Sequence, residues 1–355
     1  MDTVDLAIVG GGVIGALVAR EAVAAFPDVT IAVLERGLIG QGASSRSAGV
    51  HFPRGATARV RSMSEHSQRV WEGLAAELDL PIREVDATVV TSGDADALST
   101  TYPRLGDETA PADPARGWAA PPGARAWTLP GCHYADVQGV AGRVLAGVRD
   151  RVTVLEGTEV TELSSDGAYH RLTLGQGREL LARRVVLAPG PWLAHPAWAD
   201  LVAPLGLRVK KVVATHVESS PAPDDPLTIF DDEDAFLLPL HGRGHFLFSY
   251  TSDRWDVAPD DTGLVLEPSD LDDARAVLGR FAPGLVARCD SGRVFCDAYS
   301  PSREPVVTEL RPGLVFAGAA NGSGYRLAPA IAAETVAALE LTPTRTLSQP
   351  RQRQS

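Results

Sequence analysis

The 355-residue sequence has few cysteines, no excess of positive charge and no long apolar run. Its three cysteines, Cys132, Cys289 and Cys296, are too irregularly spaced for a disulfide framework or a zinc site, and its eight histidines show no metal-ligand spacing. We therefore expect no metal and a reduced, cytoplasmic setting. The net charge of -12 argues against nucleic acid and anionic membranes as partners, because both require basic faces. No run of about 18 apolar residues occurs, which predicts no membrane span.

The N-terminal stretch VDLAIVGGGVIGALVAREAVAAFPDVTIAVLER has the pattern of a strand, a turn, a helix and a second strand. Residues 4–9 are continuously apolar, as in a strand that is buried in a parallel sheet. A helical pattern then runs to Phe26, and residues 29–34 form the second apolar strand. This order predicts an α/β fold of the Rossmann type.

Three glycines and one acid give this unit its chemistry. Gly10, Gly12 and Gly15 have the G-x-G-x-x-G spacing, in which the first glycine permits the tight turn and the second lets the backbone approach a pyrophosphate. The helix that follows offers free N–H groups to the phosphates. Glu35 ends the second strand, where a carboxylate accepts hydrogen bonds from a ribose diol. The unit therefore predicts a dinucleotide site.

The next stretch, GLIGQGASSRSAGVHFPRG, bears on which dinucleotide is bound. Residues 37–55 are rich in small side chains and show neither a helical nor a strand period. A simple NAD domain would continue here with a crossover helix. A long loop of small residues instead indicates a cofactor that extends beyond the pyrophosphate.

Four segments in order resemble the D-amino-acid oxidase superfamily of FAD enzymes, which includes glycine oxidase and sarcosine oxidase. They are the GGGVIG…LER unit, the loop GASSRSAGV, the pair VTVLEGTEVTEL and RRVVLAPGPW, and the closing segment VFAGAANGSGYRLAP. The resemblance covers almost the whole chain and implies FAD as the cofactor. In relatives, a residue at the place of Val160 clamps the adenine, and the closing glycine turn lies beside the flavin pyrimidine.

The motif and the resemblance together give a set of expected FAD-binding residues. They are Gly10, Gly12, Val13, Ile14, Gly15, Glu35, Arg36, Ala43, Ser44, Ser45, Arg46, Ala48, Gly49, Val50, Val160, Ala188, Gly190, Trp192, Gly318, Gly322, Gly324, Tyr325 and Arg326.

The resemblance also implies a discontinuous chain organisation. A Rossmann-type FAD-binding domain would comprise residues 1–80, 134–204 and 300–342. Residues 81–133 and 205–299 would build an α+β substrate domain, and the alternating segments of the second insertion predict an antiparallel sheet. The polar tail, residues 343–355, is expected to be disordered. The acidic run at residues 231–234 is expected to be a solvated loop.

The leading functional interpretation is FAD-dependent oxidation of a small amino acid, a primary or secondary amine, with oxygen or another acceptor taking the electrons. The cofactor supplies the redox chemistry, so the site needs chiefly an anchor for the substrate carboxylate. One alternative is a 2-hydroxyacid dehydrogenase of the same superfamily, with His51 as the base that removes the hydroxyl proton. Another is a protein that binds FAD only as a structural or sensory element.

Four residues are candidates for the substrate site. Arg326 follows Gly324 by two positions, as a basic residue does in sarcosine oxidase, and its charge opposes the helix dipole unless an anion lies nearby. His51 and Arg54 directly follow the flavin loop. Tyr250 lies on a segment that faces the flavin in relatives.

Two positions depart from individual relatives, and a third matches one of them. Asp297 stands where glycine oxidase and D-amino-acid oxidase carry a carboxylate-binding arginine, which favours the sarcosine oxidase branch. Leu247 stands nearest to the oxygen-activating lysine of that branch, so the acceptor stays open. Cys296 matches a cysteine that bonds covalently to flavin in sarcosine oxidase, although a thiol that only packs in the interior is the alternative.

Overall fold

A computed structural model describes residues 2–110, 118–259 and 264–341. Its helices are α1 (Val13–Ala25), α2 (Ala43–Arg46), α3 (Ala58–Glu77), α4 (Ala95–Thr101), α5 (Val137–Ala146), α6 (Ala199–Val202), α7 (Pro268–Phe281) and α8 (Gly324–Ala338). Its strands are β1 (Asp2–Val9), β2 (Ile31–Leu34), β3 (Val50–His51), β4 (Ile82–Glu84), β5 (Ala87–Thr91), β6 (Glu108–Thr109), β7 (Arg125–Thr128), β8 (His133–Ala135), β9 (Val152–Leu155), β10 (Val160–Asp166), β11 (Tyr169–Leu174), β12 (Glu179–Leu187), β13 (Arg208–Val217), β14 (Leu227–Phe230), β15 (Ala235–Leu240), β16 (His245–Tyr250), β17 (Cys289–Tyr299), β18 (Val306–Arg311) and β19 (Leu314–Gly318). The predicted tail, residues 343–355, lies outside the described ranges.

The first sheet is the expected Rossmann-type sheet. Strands β9, β2, β1 and β12 run parallel in that order, and β11 and β10 continue antiparallel beyond β12. Strand β19 also pairs in parallel with β12 and carries β18 as its antiparallel neighbour. Leu6 and Ile8 in β1 are fully buried because helices α1, α5 and α8 pack on one face of the sheet, whereas Ala7 is fully buried in the hydrophobic cluster of the opposite face.

The second sheet is mostly antiparallel, as the alternating segments predict. Its order is β17-β13-β16-β15-β14-β5-β7-β6, and only the β14–β5 pair is parallel. Its strands come from residues 87–128 and 208–299, which lie within the two predicted insertions. A small third sheet, β3-β8-β4, lies between these parts of the chain. The α/β fold class is thereby confirmed, whereas the domain boundaries stay a prediction.

The loop after β2 contains more regular structure than its composition suggests. Residues 43–46 form the one-turn helix α2, in which the Ser45 hydroxyl donates to the carbonyls of Gln41 and Gly42. Strand β3 follows and pairs with β8. Side-chain hydrogen bonds and pairing with a distant strand create these elements, and neither produces a sequence period. Across the described ranges, every helix is too short or too polar to span a membrane.

Candidate functional site

A single continuous cleft of about 780 Å³ is lined by residues of both large sheets, a size typical of small-molecule sites. It extends from Glu35 and Val160 at one end to Arg326 and Lys210 at the other. All of the expected FAD-binding residues line it except Ser45 and Gly318. The Ser45 hydroxyl donates to the carbonyls of Gln41 and Gly42, and Gly318 pairs with β18 at the end of a buried strand, so FAD contact by these two residues stays a prediction.

The glycine turn after β1 fits a pyrophosphate. Gly10 has φ +110°, and a Cβ there would lie 2.2 Å from the carbonyl oxygen of Ala188. A Cβ on Gly15 would lie 1.9 Å from the carbonyl oxygen of Gly10, so only glycine lets α1 start this close to the strand. Gly12 is the N-cap of α1 and has no side chain that could cap the helix, although the Ser44 hydroxyl accepts a hydrogen bond from the Val13 N–H at 3.1 Å. The helix N-terminus lines the cleft. An anion is favoured at such a position.

The other half of a dinucleotide would meet an acid and an aromatic ring. The Glu35 carboxylate accepts hydrogen bonds from the N–H groups of Gly11 and Gly37, each at 2.8 Å, which fixes its oxygens at the cleft. The Arg36 guanidinium lies 4.2 Å from the centroid of the Trp192 ring. Together with Val160, these residues could hold an adenosine group, with Glu35 as the acceptor for the ribose hydroxyls.

The turn between β19 and α8 closes the opposite end of the cleft. Asn321 and Gly322 have φ values of 54° and 76°, so the chain passes through left-handed backbone before α8 begins. Asp297 holds this turn, since its carboxylate accepts hydrogen bonds from the N–H groups of Gly322, at 3.0 Å, and Ala298. Burial raises the pKa of Asp297 to about 6. The acid that replaces the arginine of some relatives therefore supports the turn.

Arg326 is a buried cation without an acidic partner. It is the third residue of α8 and only 8% exposed, and it lines the cleft. Its guanidinium donates to the carbonyl of Arg54, at 3.2 Å, and to the Ser323 hydroxyl, at 2.5 Å, and lies 4.8 Å from the Phe52 ring centroid. Throughout the described ranges no carboxylate lies within ion-pair distance of it. Burial and the neighbouring Arg54 lower its pKa to about 10, so it stays charged at neutral pH.

Arg54, by contrast, is neutralised by the acidic run. Its guanidinium lies 3.3 Å from an Asp231 oxygen and 3.7 Å from an Asp234 oxygen. Asp231 also accepts a hydrogen bond from the Tyr102 hydroxyl at 2.7 Å. The expectation of a solvated acidic loop is thus wrong for this part of the run, because its carboxylates are bound to groups of the cleft. Tyr102 was missed, since it lies in an insertion without a motif.

His51 lies behind the cleft and not in its lining. It is fully buried, its ring stacks on His133 at 4.7 Å, and its Nε2 lies 2.7 Å from the Gln68 side-chain oxygen. Burial is the main reason that its pKa is lowered to about 4. His51 thus contacts neighbouring side chains of the interior, and its role as a base on a substrate hydroxyl stays a prediction.

Tyr325 also belongs to this interior cluster. Its ring packs on Trp71, and its hydroxyl lies 2.9 Å from His133 Nε2. Although Tyr325 lines part of the cleft, its hydroxyl is therefore held by the protein core.

Two residues of the second sheet border the cleft in ways that bear on the predictions. Tyr250 lines it, and its hydroxyl donates to the carbonyl of Asp270 at 3.0 Å; its part in the substrate site stays a prediction. Cys296 is buried in β17 and also lines the cleft, and its covalent bond to flavin stays a prediction. Leu247 is fully buried in the core.

The fold and the cleft together define a dinucleotide-binding protein of the Rossmann class with a second, substrate-facing sheet. The chain belongs to the DAO family of FAD-dependent oxidoreductases, whose family model matches residues 5–338. It is therefore an FAD-dependent oxidoreductase, and its redox cycle requires a small-molecule substrate and an electron acceptor.

Individual relatives agree with this assignment. The chain is 27% identical to a glycine oxidase of Geobacillus kaustophilus (strain HTA426) over 270 residues, which cover 67% of this chain and 68% of the relative. The crystal structure of glycine oxidase from Geobacillus kaustophilus superposes with a TM-score of 0.74 at 21% identity and covers 96% of both chains. NikD, an unusual amino acid oxidase essential for nikkomycin biosynthesis, gives 0.70 at 19% identity, covering 94% of this chain and 95% of NikD. These structural likenesses establish the shared fold.

Proposed function

We propose that this chain oxidises a small amino acid, a primary or secondary amine, at its α-carbon and that Arg326 binds the substrate carboxylate. The observation that carries the proposal is the buried, unpaired guanidinium of Arg326 at the closed end of the FAD cleft. Bound FAD supplies the oxidising power by accepting a hydride from the α-carbon, while the amine loses a proton to solvent and the product is an imine.

The geometry of Arg326 suits a carboxylate. Its guanidinium has five N–H donors, of which one is used on the Arg54 carbonyl and one on Ser323, so further donors remain for a ligand. A guanidinium matches a carboxylate as a planar fork and fixes its orientation as well as its position. The expected FAD-binding residues run from Glu35 to the turn before α8, and Arg326 follows that turn in the lining of the cleft, where a substrate would lie beside the cofactor.

The surroundings of Arg326 also favour the reactive form of the substrate. Phe52, Ile229 and Phe236 contribute apolar surface to the cleft, which lowers the effective dielectric around a bound ligand. A cation nearby and partial desolvation both favour the neutral form of an amine over its ammonium form. The α-carbon can release a hydride only when the amine lone pair is free, so this environment supports the oxidation without a dedicated base.

A substrate screen tests the proposal. Purified holoenzyme is mixed anaerobically with amino acids, with the corresponding 2-hydroxy acids and with amines that lack the carboxylate, and bleaching of the flavin is followed. We expect rapid bleaching with amino acids, far slower bleaching with amines that lack the carboxylate and none with 2-hydroxy acids. Oxidation of the amino acid is followed by release of a 2-oxo acid and an amine or ammonia. Parallel assays with oxygen and with a dye identify the acceptor. Bleaching by 2-hydroxy acids alone, or by none of these compounds, would refute the proposal.

A further inference from the structure

A second cation, Lys210, lies at the same end of the cleft as Arg326. It is on β13, is only 6% exposed and lines the cleft. Its ammonium nitrogen lies 4.8 Å from the centroid of the Trp255 ring and 5.6 Å from that of Tyr299. Aromatic faces attract a cation but do not neutralise its charge. Within the described part of the chain, Lys210 has no carboxylate within ion-pair distance.

Three acids near this end of the cleft are held by other groups, whereas Asp253 is exposed, lies beyond ion-pair distance of Lys210 and raises the pKa of Lys210 through its charge. Asp231 is bound to Arg54 and Tyr102, and Asp297 accepts hydrogen bonds from two backbone N–H groups. Asp234 lies 3.7 Å from Arg54 and accepts a hydrogen bond from the Thr251 hydroxyl.

Lys210 and Arg326 line the same cleft, and the charge of Asp234 raises the pKa of both, with Asp253 acting more strongly on Lys210. Burial is nevertheless the larger influence on each, and it lowers both pKa values. The cleft thus contains two partly desolvated cations without a carboxylate partner. Buried charges in proteins are normally paired, so two negative groups on a ligand would complete this arrangement.

We infer that the substrate is an amino acid with a second carboxylate, which Lys210 binds while Arg326 binds the α-carboxylate. This inference rests on the proposed amino-acid oxidation and specifies its substrate class. Lys210 is then a specificity residue and takes no part in breaking the C–H bond. The sequence alone did not single it out, because adjacent lysines on a strand point to opposite faces and either can be at the surface. Its neighbour Lys211 also lines the cleft, but its charge is paired with Asp270 at 2.6 Å.

Isosteric substrate pairs give a sharp test. Glutamate is compared with glutamine, and aspartate with asparagine, in both enantiomeric forms, by the anaerobic rate of flavin reduction in the holoenzyme. We expect the acid to be preferred over its amide by about tenfold to a hundredfold, as for a partly buried charge pair. Lys210→Met should remove this preference by slowing the acid and leaving the amide nearly unchanged, and Lys210→Arg should retain part of it.

Arg208→Met is the matched control. Arg208 lies over the same Trp255 ring at 4.8 Å but pairs with Asp256 and does not line the cleft, so its loss should leave the preference intact. A readout independent of turnover is the perturbation of the flavin spectrum by glutarate and by butyrate. Glutarate should bind more tightly to the unaltered holoenzyme, and Lys210→Met should abolish the difference.

The outcomes separate this inference from the proposed function. Oxidation of neutral amino acids without any preference for acids would overturn the second-carboxylate site alone, whereas no oxidation of any amino acid would overturn both. Equal slowing of acids and amides by Lys210→Met would show that Lys210 serves the flavin or the fold. An effect confined to flavin reoxidation would assign Lys210 to the acceptor, and either result would refute the inference.

Discussion

Replacing Arg326 with methionine should abolish most catalysis on substrates that have a carboxylate. Methionine retains apolar contact with Phe52, which now lies 4.8 Å from the guanidinium, but it removes every N–H donor and the charge. Arg326 is only 8% exposed, so water would poorly replace it as a partner for a bound carboxylate. Losing one member of a desolvated, hydrogen-bonded charge pair costs about 2–5 kcal/mol, which corresponds to a loss in kcat/KM of about 30-fold to several thousandfold.

The assay compares amino acids with amines of the same side chain that lack the carboxylate. The loss should fall on kcat/KM for the amino acid, while the much lower activity on the amine should change less than about threefold, since its complex never contains the charge pair. The flavin-to-protein ratio and the flavin spectrum are measured alongside to show that FAD is still bound. Arg326→Lys, which keeps the charge without the planar fork, should be intermediate.

The matched control is Arg20→Met, which removes an arginine that pairs with Glu77 at the surface and does not line the cleft. It should leave both activities unchanged. If Arg326→Met reduced the activity on the amine as much as that on the amino acid, Arg326 would act on the flavin or on the fold, and the carboxylate assignment would be refuted.

Three further predictions concern the cofactor and the interior. Glu35→Gln replaces a carboxylate that accepts hydrogen bonds from Gly11 and Gly37 with an amide, which must turn N–H groups toward donors. The binding free energy of FAD to the apoprotein, measured by flavin fluorescence, should therefore weaken by roughly 1–3 kcal/mol. Unchanged affinity would contradict the proposal that Glu35 binds the ribose hydroxyls. Acid precipitation tests Cys296: colour that stays with the pellet indicates a covalent bond, and colour wholly in the supernatant excludes it. Burial lowers the pKa of His51 to about 4 and that of His133 to about 3, from 6.5. Below pH 6.5 the unfolded chain therefore binds more protons than the folded chain. The free energy of unfolding should fall by roughly several kcal/mol as the pH drops from about 6.5 toward 3–4. His51→Gln should flatten this dependence in chemical unfolding series at several pH values, and an unaltered slope would show that other groups dominate.

The local pattern around the pyrophosphate site could be predicted because it is set by neighbours in sequence. Although Gly10 is confined by the distant Ala188, Gly15 is required by contact with the Gly10 carbonyl inside the β1–α1 unit, and Glu35 directly follows the end of β2. Such short-range constraints leave a fixed spacing in the chain. The same reasoning identified Arg326, because a cation at a helix N-terminus is unfavourable unless an anion is nearby. The antiparallel second sheet was likewise predicted from alternation that each strand shows by itself.

The substrate end of the cleft was decided by tertiary structure. Tyr102, Asp231 and Lys210 come from separate parts of the chain, and no spacing relates them. Whether a polar side chain acts on a ligand depends on which groups reach it in space. Arg54 meets carboxylates and is neutralised, whereas Arg326 meets only a carbonyl and a hydroxyl and keeps its charge available. His51 follows the flavin loop in sequence, yet its strand turns the ring into the interior against His133. The sequence by itself determined where the dinucleotide binds, and only the folded chain decided which charges remain unpaired, because pairing depends on distances that the order of residues does not set.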